Sequence, residues 1–166
     1  MYSKPTDLSF ELANGGVGPD PLRLDTLETA FVVLLFQRDH LCGNCREQVQ
    51  EIAARYDAFR KRNAAVVSVL PEPKERAAEW AASYDLPFPV VADPDTETAD
   101  RFGQPVRFGF LGDLHDLLGR MPLAVIIDLR GAEPRFVYSH VGDSPSDRPT
   151  VEGLLLELDH KRNATE

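Results

Sequence analysis

The sequence predicts an α/β fold in which a central mixed β-sheet is flanked by helices and preceded by an N-terminal extension. Three continuous apolar runs, rich in β-branched residues, are typical of strands buried on both faces: Phe31–Phe36, Ala64–Leu70 and residues 121–128. Between and after these runs, apolar residues recur every three or four positions, which predicts amphipathic helices. Strands alternating with helices indicate a sheet with helices packed on its faces.

The first 29 residues are expected to form an arm or an edge hairpin outside a core that spans residues 30–160. Glycines, prolines and an asparagine are concentrated at positions 14–21, between short apolar pieces, and such a cluster favours turns. The whole chain of 166 residues is consistent with a single domain, which is long enough to bury a substantial core.

A long helix is predicted over residues 46–62, because apolar positions recur on one face of it from Val49 to Phe59. This helix joins the strands Phe31–Phe36 and Ala64–Leu70, and two buried strands joined by a helix are expected to be parallel with a right-handed crossover.

The remaining elements follow from the same patterns. A helix is predicted at 74–84, followed by an extended segment at 86–94 and a short helix at 96–102 capped by Asp95 or Thr96. Another short helix, which carries His115, is predicted at 111–118. An antiparallel strand at Arg135–Val141, next to the strand at 121–128, and an amphipathic helix at 150–160 complete the fold.

The net charge of −9 argues against nucleic acid and anionic membranes as partners, since both bind basic patches. The chain has no apolar run long enough to span a membrane and no start typical of a signal peptide, so a cytoplasmic location is expected. Only four of the 18 basic residues are lysines. This composition resembles proteins adapted to high salt, with an ordinary acidic protein as the alternative.

Cys42 and Cys45 are the only cysteines in the chain, and they lie where the first buried strand meets the helix that follows it. The first turn of a helix offers unpaired N–H groups and the positive end of the dipole, which favour a thiolate. The pair predicts reversible disulfide chemistry, with Cys42 as the exposed attacking thiol and Cys45 as the inward-facing resolving thiol. Two ordinary buried cysteines, or a zinc site with His40, are the alternatives, although no second cysteine pair exists to complete four ligands. No metal or other cofactor is expected.

A dithiol after the first strand and an X-Pro step before the third resemble the thioredoxin fold and, more narrowly, the redoxin or peroxiredoxin-like group of the AhpC/TSA family. The resemblance extends over residues 32–141. It implies a thioredoxin-like fold in which Met121–Pro122 is a cis-proline bond within about 5 Å of Cys42. The backbone of Met121 and Pro122 would then bind a substrate chain by strand-like pairing.

The peroxidatic motif of peroxiredoxins, Pro-x-x-x-Thr-x-x-Cys, is absent in both registers. With Cys45 as the peroxidatic residue, the proline and threonine positions are Arg38 and Cys42, whereas with Cys42 they are Leu35 and Asp39.

The sequence therefore favours a thiol-disulfide oxidoreductase over its alternatives, a two-cysteine thiol peroxidase and a non-enzymatic redox-sensing or binding module. The expected partners are a thiol reductant and a disulfide or peroxide substrate. Candidate auxiliary residues are Arg38, His40, Arg46 and Arg120, which supply cations or a proton carrier close in sequence to the dithiol or to Pro122.

Overall fold

The structure, a computed structural model, describes residues 5, 7–104 and 120–164. The strands are β1 (Ala13–Asn14), β2 (Phe31–Phe36), β3 (Ala64–Leu70), β4 (Val90–Ala92), β5 (Leu123–Asp128) and β6 (Arg135–Val141). The α-helices are α1 (Gly43–Ala54), α2 (Tyr56–Lys61), α3 (Lys74–Ser83), α4 (Glu97–Phe102) and α5 (Val151–Asn163), and a 3₁₀ turn covers Leu24–Thr26. The predicted helix at 111–118, with His115, lies outside the described residues.

The six strands form one mixed sheet in the order β1-β4-β3-β2-β5-β6. Strands β2, β3 and β4 are parallel, whereas β1, β5 and β6 pair antiparallel with their neighbours. The α/β class, the parallel β2–β3 pair and the antiparallel β5–β6 pair are therefore as predicted. Strand β2 lies in the middle of the sheet, and its carboxyl end leads directly to the dithiol.

Strand β2 supplies side chains to both faces of the sheet, as its unbroken apolar sequence predicts. Phe31, Val33 and Leu35 pack in a cluster with residues of α1, α2, α3 and α5, and this cluster includes both cysteines. The alternate side chains of β2 pack on the other face with α4 and with apolar residues of the N-terminal segment. All six residues of β2 are at most 1% exposed.

The long helix predicted at 46–62 is wrong at two points. Helix α1 begins at Gly43, immediately after the N-cap residue Cys42, and ends at Ala54. Arg55, with φ −116° and ψ 20°, separates it from α2. The apolar face continues through Phe59 despite this break, which is why the periodicity of the sequence does not reveal it.

Helix α4 has one of the two predicted N-cap residues, but its side-chain capping bonds are made by another residue. Thr96 is its N-cap residue but makes no side-chain capping bond. The buried carboxylate of Asp93 instead accepts hydrogen bonds from the N–H groups of Thr98 and Ala99, at 3.0 and 2.8 Å. Asp93 directly follows strand β4, so the short extended segment both pairs in the sheet and fixes the start of the next helix.

None of the helices in the described part of the chain is both long enough and apolar enough to cross a membrane.

Candidate active site

The two cysteines are joined in a disulfide at the N-terminus of α1, with their Cα atoms 5.2 Å apart. Cys42 is the N-cap residue of the helix, and its Sγ accepts a hydrogen bond from the N–H of Cys45 at 3.1 Å. A side chain that accepts from this N–H satisfies one of the unpaired donors of the first turn. The predicted position of the dithiol at a strand-to-helix junction is therefore confirmed.

The predicted exposure of Cys42 is wrong. Cys42 is 1% exposed and Cys45 is 0% exposed, while the neighbouring Leu41 is 69% exposed. Because Cys42 caps the helix, its side chain is directed towards the helix N-H groups and away from solvent. The two sulfurs therefore differ in their hydrogen-bond donors, not in their exposure.

Arg148 is the closest cation to the dithiol in the described part of the chain. Its Nη2 lies 3.1 Å from the Sγ of Cys45 and 3.7 Å from the Sγ of Cys42. The Sγ of Cys45 also accepts from the backbone N–H of Arg38 at 3.4 Å. Cys45 thus has the shorter contact with a positive charge, which favours a thiolate on this sulfur once the disulfide is reduced.

Among the described residues, no carboxylate lies within ion-pair distance of Arg148. Its Nη1 donates to the side-chain oxygens of Gln37 and Gln48, at 2.9 and 2.8 Å, and its Nε donates to the carbonyl of Pro145 at 2.9 Å. Burial lowers the pKa of Arg148 to about 10, with a smaller contribution from the positive charge of Arg38. The guanidinium still carries its full charge at neutral pH.

Arg148, Gln37 and Gln48 were not among the site residues predicted from the sequence. Arg148 lies in the loop before α5, more than 100 positions from both cysteines, and its neighbours form no motif that would mark it. Gln37 and Gln48 flank the dithiol in sequence. The one available signal was a pair of uncharged polar residues at positions that the strand and helix patterns predict to be buried.

The loop at residues 143–149 holds Arg148 through the carboxylate of Asp147. This carboxylate accepts from the backbone N–H of Asp143 at 2.9 Å and contacts Nε2 of His140 at 2.9 Å. The same two interactions, with the backbone bond as the larger, lower the pKa of Asp147. Strand β6, which carries His140, therefore fixes the start of the loop.

Gly142 connects this loop to Pro122. Its N–H donates to the carbonyl of Pro122 at 2.9 Å, and a Cβ atom at Gly142 would lie 2.5 Å from both the ring of Pro122 and the carbonyl of Asp147. Glycine is therefore required for the close packing of these two segments.

The prediction that Met121–Pro122 is a cis bond is wrong. Among the described residues the cis peptide bond is Asp20–Pro21, and Met121–Pro122 is trans. The trans bond continues the extended chain into β5, and the carbonyl of Pro122 accepts from the N–H of Gly142, the residue after β6. The carbonyl of Met121 accepts from Nε2 of Gln104 at 3.0 Å, and both Met121 and Pro122 are buried.

Two of the candidate auxiliary residues lie on the short connection between β2 and the dithiol. The side chain of Arg38 forms an ion pair with Asp39 at 2.8 Å, so only its backbone N–H is directed at a sulfur. Nδ1 of His40 contacts the carboxylate of Glu72, and the backbone N–H of His40 donates to the same oxygen at 3.1 Å. His40 therefore anchors this connection to the loop after β3.

The other two auxiliary candidates also have partners of their own. Arg46 donates to the carbonyl of Leu41 at 3.4 Å, across the start of α1. Arg120 is buried and forms an ion pair with Asp100 at 3.3 Å. Of the cations considered, the structure brings only Arg148 within hydrogen-bond distance of the sulfurs through its side chain.

A groove of about 260 Å³ runs between α1 and the loop at 143–149. Its lining includes Asn44, Gln48, Ser146 and Arg148, together with the carboxylates of Glu47 and Glu51. It gives small molecules a route from solvent to the guanidinium that contacts the sulfurs.

Comparisons with known proteins agree with this architecture. The family model described as the AhpC/TSA family matches residues 7–131. The chain belongs to the AhpC/TSA family. Arg148 and its loop lie beyond the matched residues, whereas both cysteines, Gln37 and Gln48 lie within them.

A curated relative, Peroxiredoxin Bcp of Bacillus subtilis, is 20% identical over 99 residues, which is 60% of this chain and 60% of the relative. Among solved structures, Peroxidoxin BcpB of Mycobacterium tuberculosis has a TM-score of 0.77 at 20% identity, covering 96% of this chain and 97% of that chain. Peroxiredoxin Q of Xanthomonas campestris has a TM-score of 0.76 at 15% identity, with 98% and 99% covered. These structural neighbours confirm the thioredoxin-like fold, and the family match confirms the redoxin or peroxiredoxin-like resemblance.

Proposed function

We propose that this chain reduces hydroperoxides, with Cys45 as the thiol that attacks peroxide and Cys42 as the resolving thiol. The observation that carries this proposal is the contact between the guanidinium of Arg148 and the Sγ of Cys45 at 3.1 Å, with no carboxylate among the described residues to neutralise it. Membership of the AhpC/TSA family supports the same chemistry.

The positive charge of Arg148 would stabilise both the thiolate of Cys45 before the reaction and the negative charge that develops during the attack on peroxide. At 3.1 Å, a guanidinium and a thiolate attract by about 5 kcal/mol at an effective dielectric of about 20, before desolvation is counted. This attraction favours the ionised form of Cys45. During attack, negative charge moves to the leaving oxygen, and a donor fixed beside the sulfur stabilises that charge as well.

The proposed reaction has three steps. The thiolate of Cys45 attacks one peroxide oxygen, the O–O bond breaks, and the alkoxide or hydroxide that leaves takes up a proton, so Cys45 becomes a sulfenic acid. The thiol of Cys42 then attacks the sulfenic sulfur, forming the disulfide and releasing water. A thiol reductant of the thioredoxin or small-dithiol type supplies two electrons and two protons to restore both cysteines.

The proposed roles are the reverse of those predicted from the sequence. That assignment depended on an exposed Cys42, and Cys42 is 1% exposed. Its Sγ accepts from the N–H of Cys45 at 3.1 Å, and the two Cα atoms are 5.2 Å apart. A resolving thiol one helical turn from the sulfenic acid can close the disulfide without a large movement of the chain.

The geometry around the dithiol supports a small substrate over a protein disulfide. Both sulfurs are buried, and the groove that reaches Arg148 has a volume of only about 260 Å³. The carbonyls of Met121 and Pro122, which a bound substrate chain would use, already accept bonds from Gln104 and Gly142. The predicted substrate-binding role of Met121 and Pro122 accordingly has no place in the proposed reaction.

Disulfide exchange is the second candidate function, and the missing peroxidatic motif favours it. With Cys45 as the attacking residue, Arg38 stands where peroxiredoxins carry proline, and Cys42 stands at the threonine position. A dithiol at a helix N-terminus is also suited to exchange, because a stabilised thiolate is a good leaving group. The expected cytoplasmic location and the absence of nucleic-acid and membrane partners remain predictions.

The decisive experiment measures hydrogen peroxide consumption by stopped flow, with a dithiol donor, alongside reduction of insulin disulfides. We expect the wild-type chain to consume peroxide, Cys45→Ser to consume none, and Cys42→Ser to react once and retain a sulfenic acid that dimedone traps. Insulin reduction without peroxide consumption would instead establish disulfide exchange. A dimedone adduct on Cys42 in the Cys45→Ser variant would restore the original assignment of roles.

A further inference from the structure

Every side-chain nitrogen of Arg148 has an acceptor, and all of these acceptors except the sulfurs are permanently neutral. Nε donates to a backbone carbonyl, Nη1 donates to two amide oxygens, and Nη2 faces the two sulfurs. The sulfurs are the only atoms in this set that acquire negative charge, and they do so only on reduction. The charge of Arg148 is therefore left for the thiolate.

Gln37 and Gln48 are built into the site from two different elements. Gln37 follows β2 and is 0% exposed, and Gln48 lies on α1 and is 8% exposed. Nε2 of Gln37 also lies 3.4 Å from Oγ of Ser68 on β3. Because arginine only donates, the amide oxygens must face it, which fixes the orientation of both side chains.

We propose that Gln37 and Gln48 are positioning residues that hold Arg148 against the dithiol without neutralising it, and so set the redox poise of Cys42 and Cys45. A carboxylate in either place would bind a buried guanidinium more tightly than an amide does. It would also place a negative charge beside the thiolate, which disfavours ionisation. The amides therefore bind Arg148 less tightly than carboxylates would, but they leave its positive charge free to stabilise the thiolate.

This inference uses the Cys45 thiolate of the proposed function, but its test needs no peroxide. In a Cys42→Ser background Cys45 is the sole thiol of the chain, and thiolate absorbance or the rate of alkylation, measured against pH, reports its ionisation. We expect Gln48→Glu to raise the midpoint of Cys45 ionisation by about one pH unit, which lowers the ratio of thiolate to thiol at a given pH by about tenfold. Gln48→Met, which removes the acceptor and adds no charge, is expected to change this ratio by less than about threefold.

Gln50→Glu is the matched control. Gln50 lies on the same helix, is exposed, and its side chain donates to the carbonyl of Arg46. The substitution is chemically identical to Gln48→Glu but is not directed at Arg148. We expect it to leave the ionisation of Cys45 within about twofold of the parent, since an exposed charge is well screened.

The reduction potential of the wild-type dithiol provides an independent measurement, by equilibration with glutathione. Destabilising the thiolate makes the disulfide less oxidising, so Gln48→Glu should shift this equilibrium about tenfold towards the disulfide, or about 30 mV for two electrons.

Equal effects of Gln48→Glu and Gln48→Met, or no effect of either, would overturn the proposal. If Gln48→Glu does not fold, Gln37→Glu provides the same test, because Gln37, the residue after β2, contacts Arg148 in the same way. Unchanged ionisation with intact peroxide reduction would refute the positioning role alone.

Discussion

At the scale of single residues, the candidate site as far as the structure describes it joins the two sulfurs to the guanidinium of Arg148. Arg148 lies closer to Cys45 than to Cys42, by 3.1 against 3.7 Å, and the backbone N–H of Arg38 adds a second donor to Cys45. Cys42 likewise accepts from one backbone N–H, that of Cys45 at 3.1 Å, so the nearer guanidinium is what makes these two almost equally buried cysteines unequal. A thiol with the nearer positive charge ionises first, and the other remains available as a proton-bearing partner.

Arg148→Met should therefore raise the pKa of Cys45 and reduce the second-order rate constant with hydrogen peroxide by about 100-fold, the usual cost of losing one donor to a developing charge. Arg148→Lys should recover part of this rate, because it retains the charge but loses the planar fork of donors. Stopped-flow kinetics at several pH values measure both effects.

Arg76→Met is a suitable control for the Arg148 variants, since Arg76 is an exposed residue of α3 paired with Glu79 at 3.0 Å. It should leave the rate unchanged. If Arg148→Met retains the wild-type rate and pH profile, Arg148 is a packing residue and the cation that assists the reaction is another one.

At the scale of elements, the loop at residues 143–149 determines where Arg148 lies. Asp147 joins the loop to β6 through His140, and Gly142 joins it to Pro122 at the start of β5. The candidate active site is consequently assembled from the end of β2, the start of α1 and this loop. A change in the loop is transmitted to the dithiol because Arg148 is directly next to the residue that anchors it.

Asp147→Asn should loosen the loop, because it removes the charged acceptor of the Asp143 N–H and of His140. The pKa of Asp147 is lowered in the folded chain, so its contribution to loop stability is present above its ordinary value of 3.8 and is lost as pH falls through the lower folded value. The amide protection factors of residues 143–148 in the wild-type chain, which are exchange rates relative to the intrinsic rate at each pH, should therefore fall over that acidic range.

The asparagine variant should show fast exchange of these amides already at pH 7, together with slower peroxide reduction. Asp143→Asn is the control, because Asp143 contributes its backbone N–H to the loop, and its amide is retained. Equal exchange in the wild-type and Asp147→Asn chains would show that the carboxylate of Asp147 does not hold the loop.

The sequence predicted the strands better than the helix boundaries. Phe31–Phe36 and Ala64–Leu70 have the bounds expected from their apolar runs, because burial on both faces leaves Ser68 as the one polar residue within them. The break at Arg55 does not interrupt the apolar face and has no signal in the pattern. Thr96 is the N-cap residue of α4, as one of the two predictions had it, but the side-chain capping bonds come from Asp93 at the end of β4.

At the scale of the whole molecule, the sequence predicted only the part of the candidate site whose residues are close together in the chain. Cys42 and Cys45 are adjacent on one helix turn, so spacing alone places them together. Gln37 and Arg148 are 111 positions apart and meet because β5 and β6 continue the sheet beyond β2 and return the chain to the dithiol. No pattern within either segment encodes that contact, which depends on the order of the strands.

The charge of the whole molecule leads to a prediction that is independent of the dithiol. A net charge of −9 on 166 residues repels itself in the folded chain more than in the expanded unfolded chain. Added salt screens this repulsion, since the Debye length falls from about 10 Å at 0.1 M to about 3 Å at 1 M. The free energy of unfolding at pH 7 should therefore rise as potassium chloride is increased from 0.1 to about 1 M.

Chemical denaturation by urea measures this effect, because urea adds no ions of its own. The internal control is the same titration near pH 4.9, the isoelectric point, where there is little net charge to screen and the slope should be close to zero. Exposed ion pairs such as Arg55–Glu152 and Lys74–Asp20 are weakened by salt and oppose the effect, but each contributes little. A fall in stability at pH 7 would mean that these pairs outweigh the repulsion, and adaptation of the acidic surface to high salt would then be refuted.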